Sequence, residues 1–117
     1  MSAESLSQKR CRFSHDAALL LFQAEKLGYT AAYDQVKRTQ AEADSNAASG
    51  AGIKNSLHLL GLAVDLLLYR NGVYLETARD YVELGLWWES LGSDHAWGGR
   101  FKNIDANHFS IEHNGVK

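Results

Sequence analysis

The spacing of apolar and polar positions divides the chain into a succession of helices and strands. Residues 1–13 are polar and read as a loosely held lead-in. Ser14 follows as a helix N-cap, with Asp16 and Ala17 in the first turn, where negative charge suits the positive end of the helix dipole. Ala18, Leu21, Phe22 and Glu25 recur at helical spacing, and Gly28 stands where a C-terminal glycine ends a helix. Tyr29–Lys37 alternates like a strand, Thr39–Ala48 reads as a second helix, and Ser49-Gly50-Ala51-Gly52 breaks it into a loop. The stretch from Gly61 to Tyr69 is an almost unbroken apolar run, suited to a strand buried on both faces. Asn71-Gly72 is a hairpin-turn dipeptide, and Val73-Tyr74-Leu75 is the returning strand. Thr77 caps a third helix that runs through Leu91 to a stop at Gly92. Trp97–Phe101 and Asn107–Glu112 then form two short strands around a turn at Asn103-Ile104-Asp105. This order predicts an α+β fold, a small antiparallel sheet flanked by three helices, in a single domain over residues 1–117.

Composition narrows the functional classes. The chain has 45% hydrophobic and 22% charged residues, and 12 Lys+Arg against 14 Asp+Glu leave a net charge of −2. A near-neutral balance argues against a nucleic-acid partner, which favours a strongly basic domain. Cys11 is the only cysteine, so no internal disulfide forms and the fold stands on its core or on a metal. No apolar stretch approaches the roughly 20 residues needed to cross a bilayer. Lys9, Arg10 and Arg12 ahead of Ala17–Phe22 faintly imitate a signal peptide, but Gln23, Glu25 and Lys26 stand where a small-residue cleavage site belongs. The expectation is a chain made in the cytoplasm without an export signal of its own.

The informative residue is Asp65, a carboxylate inside Leu62-Ala63-Val64-Asp65-Leu66-Leu67-Leu68. An unpaired buried carboxylate costs several kcal/mol, so it needs a cation, a metal, an arginine or an outward-facing strand position. His58 lies seven residues earlier, a separation that puts two residues on opposite faces of a strand or roughly 10 Å apart along a helix axis. A bend at Gly61 brings them together, with His58 in a loop and Asp65 on the strand after it. His58 alone reads equally as a surface or capping histidine. His108 opens a strand whose Phe109 and Ile111 face one way and His108, Ser110 and Glu112 the other. Two imidazoles and one carboxylate make a three-ligand zinc site with an open fourth position, the catalytic arrangement. Asp105, on the turn before His108, reads either as a turn former or as a proton acceptor beside such a site.

Taken together, Ser56-Leu57-His58-Leu59-Leu60-Gly61-Leu62-Ala63-Val64-Asp65 resembles the Ser-x-His-x-x-Gly-x-Ala-x-Asp signature of zinc peptidases that cut bacterial cell-wall peptides. These are the D-alanyl-D-alanine carboxypeptidases and the phage L-alanyl-D-glutamate endopeptidases. Trp97-Gly98-Gly99-Arg100-Phe101 followed by Asp105-Ala106-Asn107-His108-Phe109 resembles their second motif, and Arg38-Thr39 their Arg-Thr/Ser element. The resemblance runs from about Ser14 to Ile111 and implies a Hedgehog/DD-peptidase-like zinc peptidase fold. It implies His58, Asp65 and His108 as ligands of a zinc ion and Asp105 as general base. Arg38, Ser56 and Trp97 are the candidate substrate-binding residues, with Ser56 better read as a hydrogen-bonding support for the His58 loop than as a nucleophile. Trp87, Trp88, Trp97 and Tyr74 are available to line a peptide groove, with core packing the default role for Trp87 or Trp88.

Two positions depart from the family pattern. Gly92-Ser93-Asp94-His95-Ala96 is not the expected apolar lead-in, which makes His95 a loop histidine or an added active-site group, the loop favoured. Asp105 stands where many relatives have Glu, so its backbone must approach the site more closely. The resemblance implies a hydrolase of the peptidoglycan stem peptide, acting as a monomer in the periplasm, with a phage or prophage endolysin cutting L-Ala–D-Glu as the leading form. A D-alanyl-D-alanine carboxypeptidase and a non-catalytic zinc-binding module are the alternatives.

Overall fold

The computed structural model describes residues 3–34 and 56–117, which build one antiparallel sheet with helices against it. Helix α1 covers Leu6–Lys26, strand β1 Thr30–Tyr33, the one-turn helix α2 Leu57–Leu60 and strand β2 Ala63–Arg70. Strand β3 (Val73–Leu75), helix α3 (Ala78–Glu89), strand β4 (His95–Trp97), a 3-10 turn (Gly98–Arg100) and strand β5 (His108–Ile111) complete the order. The sheet runs β1-β2-β5-β4, and β3 also pairs with β2. The α+β architecture predicted from the sequence is the one observed. The expected helix over Thr39–Ala48, the loop after it and Arg38 lie outside the described residues. Among the described residues no helix is long and apolar enough to cross a membrane.

Strand β2 organises the fold through its period of two. Val64, Leu66 and Leu68 are fully buried against the helices, while Asp65, Leu67 and Tyr69 turn to the opposite face and are only half-buried. Phe13, Ala17, Leu20 and Ala24 of α1 and Tyr81, Leu84 and Trp88 of α3 close over the apolar face. Tyr81 locks α3 to the sheet, its hydroxyl donating to Leu75 O at 2.8 Å and accepting from Leu68 N at 3.1 Å. Asn71 and Gly72 both take positive φ (52° and 77°), as a two-residue turn matched to strand twist requires. Thr77 caps α3 through a capping box with Asp80, and the helix stops at Glu89, two residues short of the expected end.

The N-terminus differs most from expectation. In place of a loose lead-in and a cap at Ser14, α1 begins at Leu6, capped by Ser5 in a reciprocal capping box with Gln8, and Ser14 lies exposed within the helix. The polar residues of this segment are structural. Lys9 Nζ meets His113 Nδ1 at 3.2 Å, Arg10 Nε donates to Leu60 O at 2.6 Å, and Arg12 bridges Glu4 and Asp94. Cys11 is exposed.

The strand expected over Trp97–Phe101 is also displaced. Strand β4 ends at Trp97, because Gly98 O accepts from both Phe101 N (3.1 Å) and Asp105 N (2.9 Å) and turns the chain. Trp97 is buried with its indole between two glycines: a Cβ at Gly85 or at Gly99 would overlap the ring. A Gly85→Ala substitution therefore drives a methyl group into the buried indole. It should destabilise the fold by about 1–3 kcal/mol, read as a lowered Tm.

Arg12 gives a pH-dependent link between α1 and the residues before β4. Its guanidinium beside Asp94 holds that carboxyl below its ordinary range, and Glu4 is lowered by the same partner. A carboxyl with a depressed folded pKa stabilises the fold above its unfolded pKa and loses that contribution as pH falls through the folded value. At neutral pH Arg12→Met should lower Tm slightly, since an ion pair this exposed is worth at most about 1 kcal/mol. The gap from the unsubstituted chain should close as thermal melts are repeated below about pH 4.

Candidate metal centre

The two ends of the apolar run bring three side chains together. A single helical turn is not stable alone, and α2 is held from several sides. Ser56 Oγ accepts from His58 N at 3.2 Å, Leu57 is buried in the core, and Leu62 N donates to Leu57 O at 2.8 Å. Gly61 ends the turn in the left-handed region (φ 74°, ψ 30°), which supplies the bend between His58 and Asp65. Arg10, reaching over from α1, satisfies one of the last carbonyls of α2. His58 thus stands on a capped helical turn where the sequence suggested a loop.

Asp65 and His108 face one another directly across the β2–β5 ladder, so both project from the sheet face that the core does not use. Asp65 Oδ1 lies 3.3 Å from His58 Nε2 and 3.7 Å from His108 Nδ1. One ligand atom from each of the three residues falls within 4.8 Å of the others, a set that could hold a metal ion. The two imidazole rings meet edge to face with centroids 5.5 Å apart, and Phe101 packs on His108 at 5.3 Å.

The electrostatics fit a cation. Burial by itself raises the Asp65 carboxyl, but the neighbouring His108 and His58 outweigh burial and hold it well below the ordinary carboxylate range. Among the described residues, Asp65 Oδ1 is a buried polar atom without a well-formed hydrogen bond, and it is the atom that faces both histidines. Such orphans are rare in folded proteins. A divalent ion shared by two imidazoles and a carboxylate matches the donor set of a catalytic zinc site.

Asp105 stands at the rim, its side chain 54% exposed and its Oδ2 4.0 Å from His108 Nδ1. Its backbone is fixed on both sides, Asp105 N donating to Gly98 O and His108 N donating to Asp105 O at 3.1 Å. Gly98 permits this approach, because a Cβ there would overlap the Asp105 carbonyl oxygen.

Of the remaining candidates, Arg38 lies outside the described residues, and Ser56 and Trp97 are buried. Ser56 is buried as the cap of α2, and Trp97 is buried with its indole Nε1 donating to Ala106 O at 2.7 Å. Trp88 is a core residue whose Nε1 donates to Ser110 O. His95 is not a loop residue: it opens β4, buried against Trp88, with Nε2 2.8 Å from Asp16 Oδ2 and Nδ1 3.1 Å from Asp94 Oδ1. Two carboxylates occupy both of its ring nitrogens, which makes it a tie between α1 and β4. Arg10 was not singled out from the sequence, and nothing in the pattern around it marks its target 50 residues away.

A family model described as D-alanyl-D-alanine carboxypeptidase matches residues 49–111, more than half of the chain and the segment that carries His58, Asp65, Asp105 and His108. No curated protein matches the chain. Among solved structures, the L-Ala D-Glu endopeptidase ChiX of Serratia marcescens is similar with a TM-score of 0.68 at 20% identity, covering 96% of this chain and 90% of that one. That likeness supports the fold. The chain belongs to the D-alanyl-D-alanine carboxypeptidase family and is a hydrolase of the peptidoglycan peptidase type.

Proposed function

We propose that the chain is a zinc-dependent peptidase that hydrolyses the L-Ala–D-Glu bond of peptidoglycan stem peptides. The observation that carries this reading is the buried His58–Asp65–His108 cluster with a solvent-accessible carboxylate, Asp105, at its rim. Zinc held by those three residues would supply Lewis acidity, polarising a carbonyl and acidifying water. The half-exposed Asp105 is reachable by both water and peptide. Its carboxylate takes a proton from the water whose oxygen adds to the carbonyl carbon, and returns a proton to the nitrogen as the C–N bond breaks. No covalent intermediate with the protein is required, which leaves Ser56 to hold His58 through its cap. Arg38 would meet the substrate carbonyl or carboxylate. The similarity in fold to the Serratia endopeptidase favours the L-Ala–D-Glu bond, and the family description favours terminal D-Ala as the second reading.

Digestion of purified peptidoglycan separates the two readings. New D-Glu amino termini are expected, whereas released D-Ala would establish the carboxypeptidase. Asp105→Ala should lower the hydrolysis rate by about 10²-fold or more while one zinc per chain remains bound by equilibrium dialysis. His108→Ala should abolish stoichiometric zinc binding. Zinc should raise the Tm of the unsubstituted chain and a chelator should reverse the shift, because binding to the folded state alone is linked to stability.

A further inference from the structure

Trp97 was a substrate-binding candidate, and its surroundings suit another task. The open groove that it borders is lined by Ala78, Arg79, Val82, Leu86, Gly99 and Arg100 and contains none of His58, Asp65 or His108. Its ring packs closely against the backbone of α3 at Gly85 and that of the 3-10 turn at Gly99, and the residue is only 4% exposed. Its only polar atom reaches away from the groove to Ala106 O at 2.7 Å, inside the turn that links β4 to β5. Ala106 lies between Asp105 and His108.

We infer that Trp97 is a positioning residue that fixes the Asp105 carboxyl relative to His108 by clamping the 98–108 turn. The inference rests on the reading of Asp105 as proton acceptor. Backbone bonds set much of the path of this turn: Phe101 N and Asp105 N both donate to Gly98 O, His108 N donates to Asp105 O, and Leu66 N of β2 donates to Asn107 O at 2.8 Å. Arg100 pairs with Glu89 of α3 at the start of the turn, and Trp97 Nε1 to Ala106 O ties its later part, next to Asp105, to a side chain seated against α3. Without the indole N–H, Ala106 O loses its donor in a part-buried position, and the turn relaxes toward water. A base displaced by as little as an ångström loses much of its effect.

The test uses the full chain with two replacements at Trp97. Trp97→Phe keeps an aromatic ring in the slot, and benzothienylalanine incorporated at this position keeps the full shape and lacks only the N–H donor. In the metal-free protein, hydrogen exchange at the Asp105 and His108 amides should accelerate at least ten-fold, with α1 amides unchanged. With zinc restored, one ion per chain should still bind, kcat should fall about ten-fold, KM should stay within two-fold, and the pH profile of kcat should shift. Unchanged exchange in the benzothienylalanine protein would overturn the inference even if Trp97→Phe fails to fold. A raised KM with unaltered kcat would also overturn it, by returning Trp97 to substrate contact. If the unsubstituted chain shows no zinc-dependent hydrolysis, the functional reading fails, while the exchange measurement still decides the role of Trp97 in the turn.

Discussion

The cross-strand pair of Asp65 and His108 is the constraint on which the rest of the site depends. A strand has two faces, and β2 gives one entirely to the core through Val64, Leu66 and Leu68. The other face receives the one carboxylate in the run, and the β5 register sets an imidazole opposite it. A shift of one residue in that register would move His108 into the apolar layer and Phe109 out of it. The packing of Phe109 against Trp88, with ring centroids 6.0 Å apart, therefore secures the chemistry on the far side of the sheet. Stability and site geometry are fixed by the same ladder.

Much of this was legible in the chain. An acid in an apolar run marked Asp65, the glycine before it marked the bend, and the Asn71-Gly72 turn and the Val73–Leu75 strand were read at their observed places. The family motifs gave His58, Asp65 and His108, which the fold brings within reach of one another. Legibility failed where long-range contacts override local composition. A polar stretch such as residues 6–12 carries no apolar periodicity of its own, and it is helical because Leu6 and Phe13 reach the core while Lys9, Arg10 and Arg12 each find a distant partner. The Ser5–Gln8 capping box was the local signal that marked this start.

The second failure has the same origin. The strand propensity of Trp97–Phe101 gives way to a 3-10 turn because Gly98 can accept two amides where a side chain would collide with Asp105. His95, whose polar neighbours suggest a loop, enters the sheet because Asp16 and Asp94 satisfy both ring nitrogens. In each case a partner remote in sequence decides the local conformation.

Helix α1 lies wholly upstream of the segment that matches the family model, although it supplies Phe13, Ala17, Leu20 and Ala24 to the core. The matched residues hold the reactive groups and α3, but only part of the cover over their own apolar sheet. A fragment cut to that segment would lose the α1 half of that cover and open part of the apolar face of β2 to solvent, an adhesive surface that favours self-association over solubility.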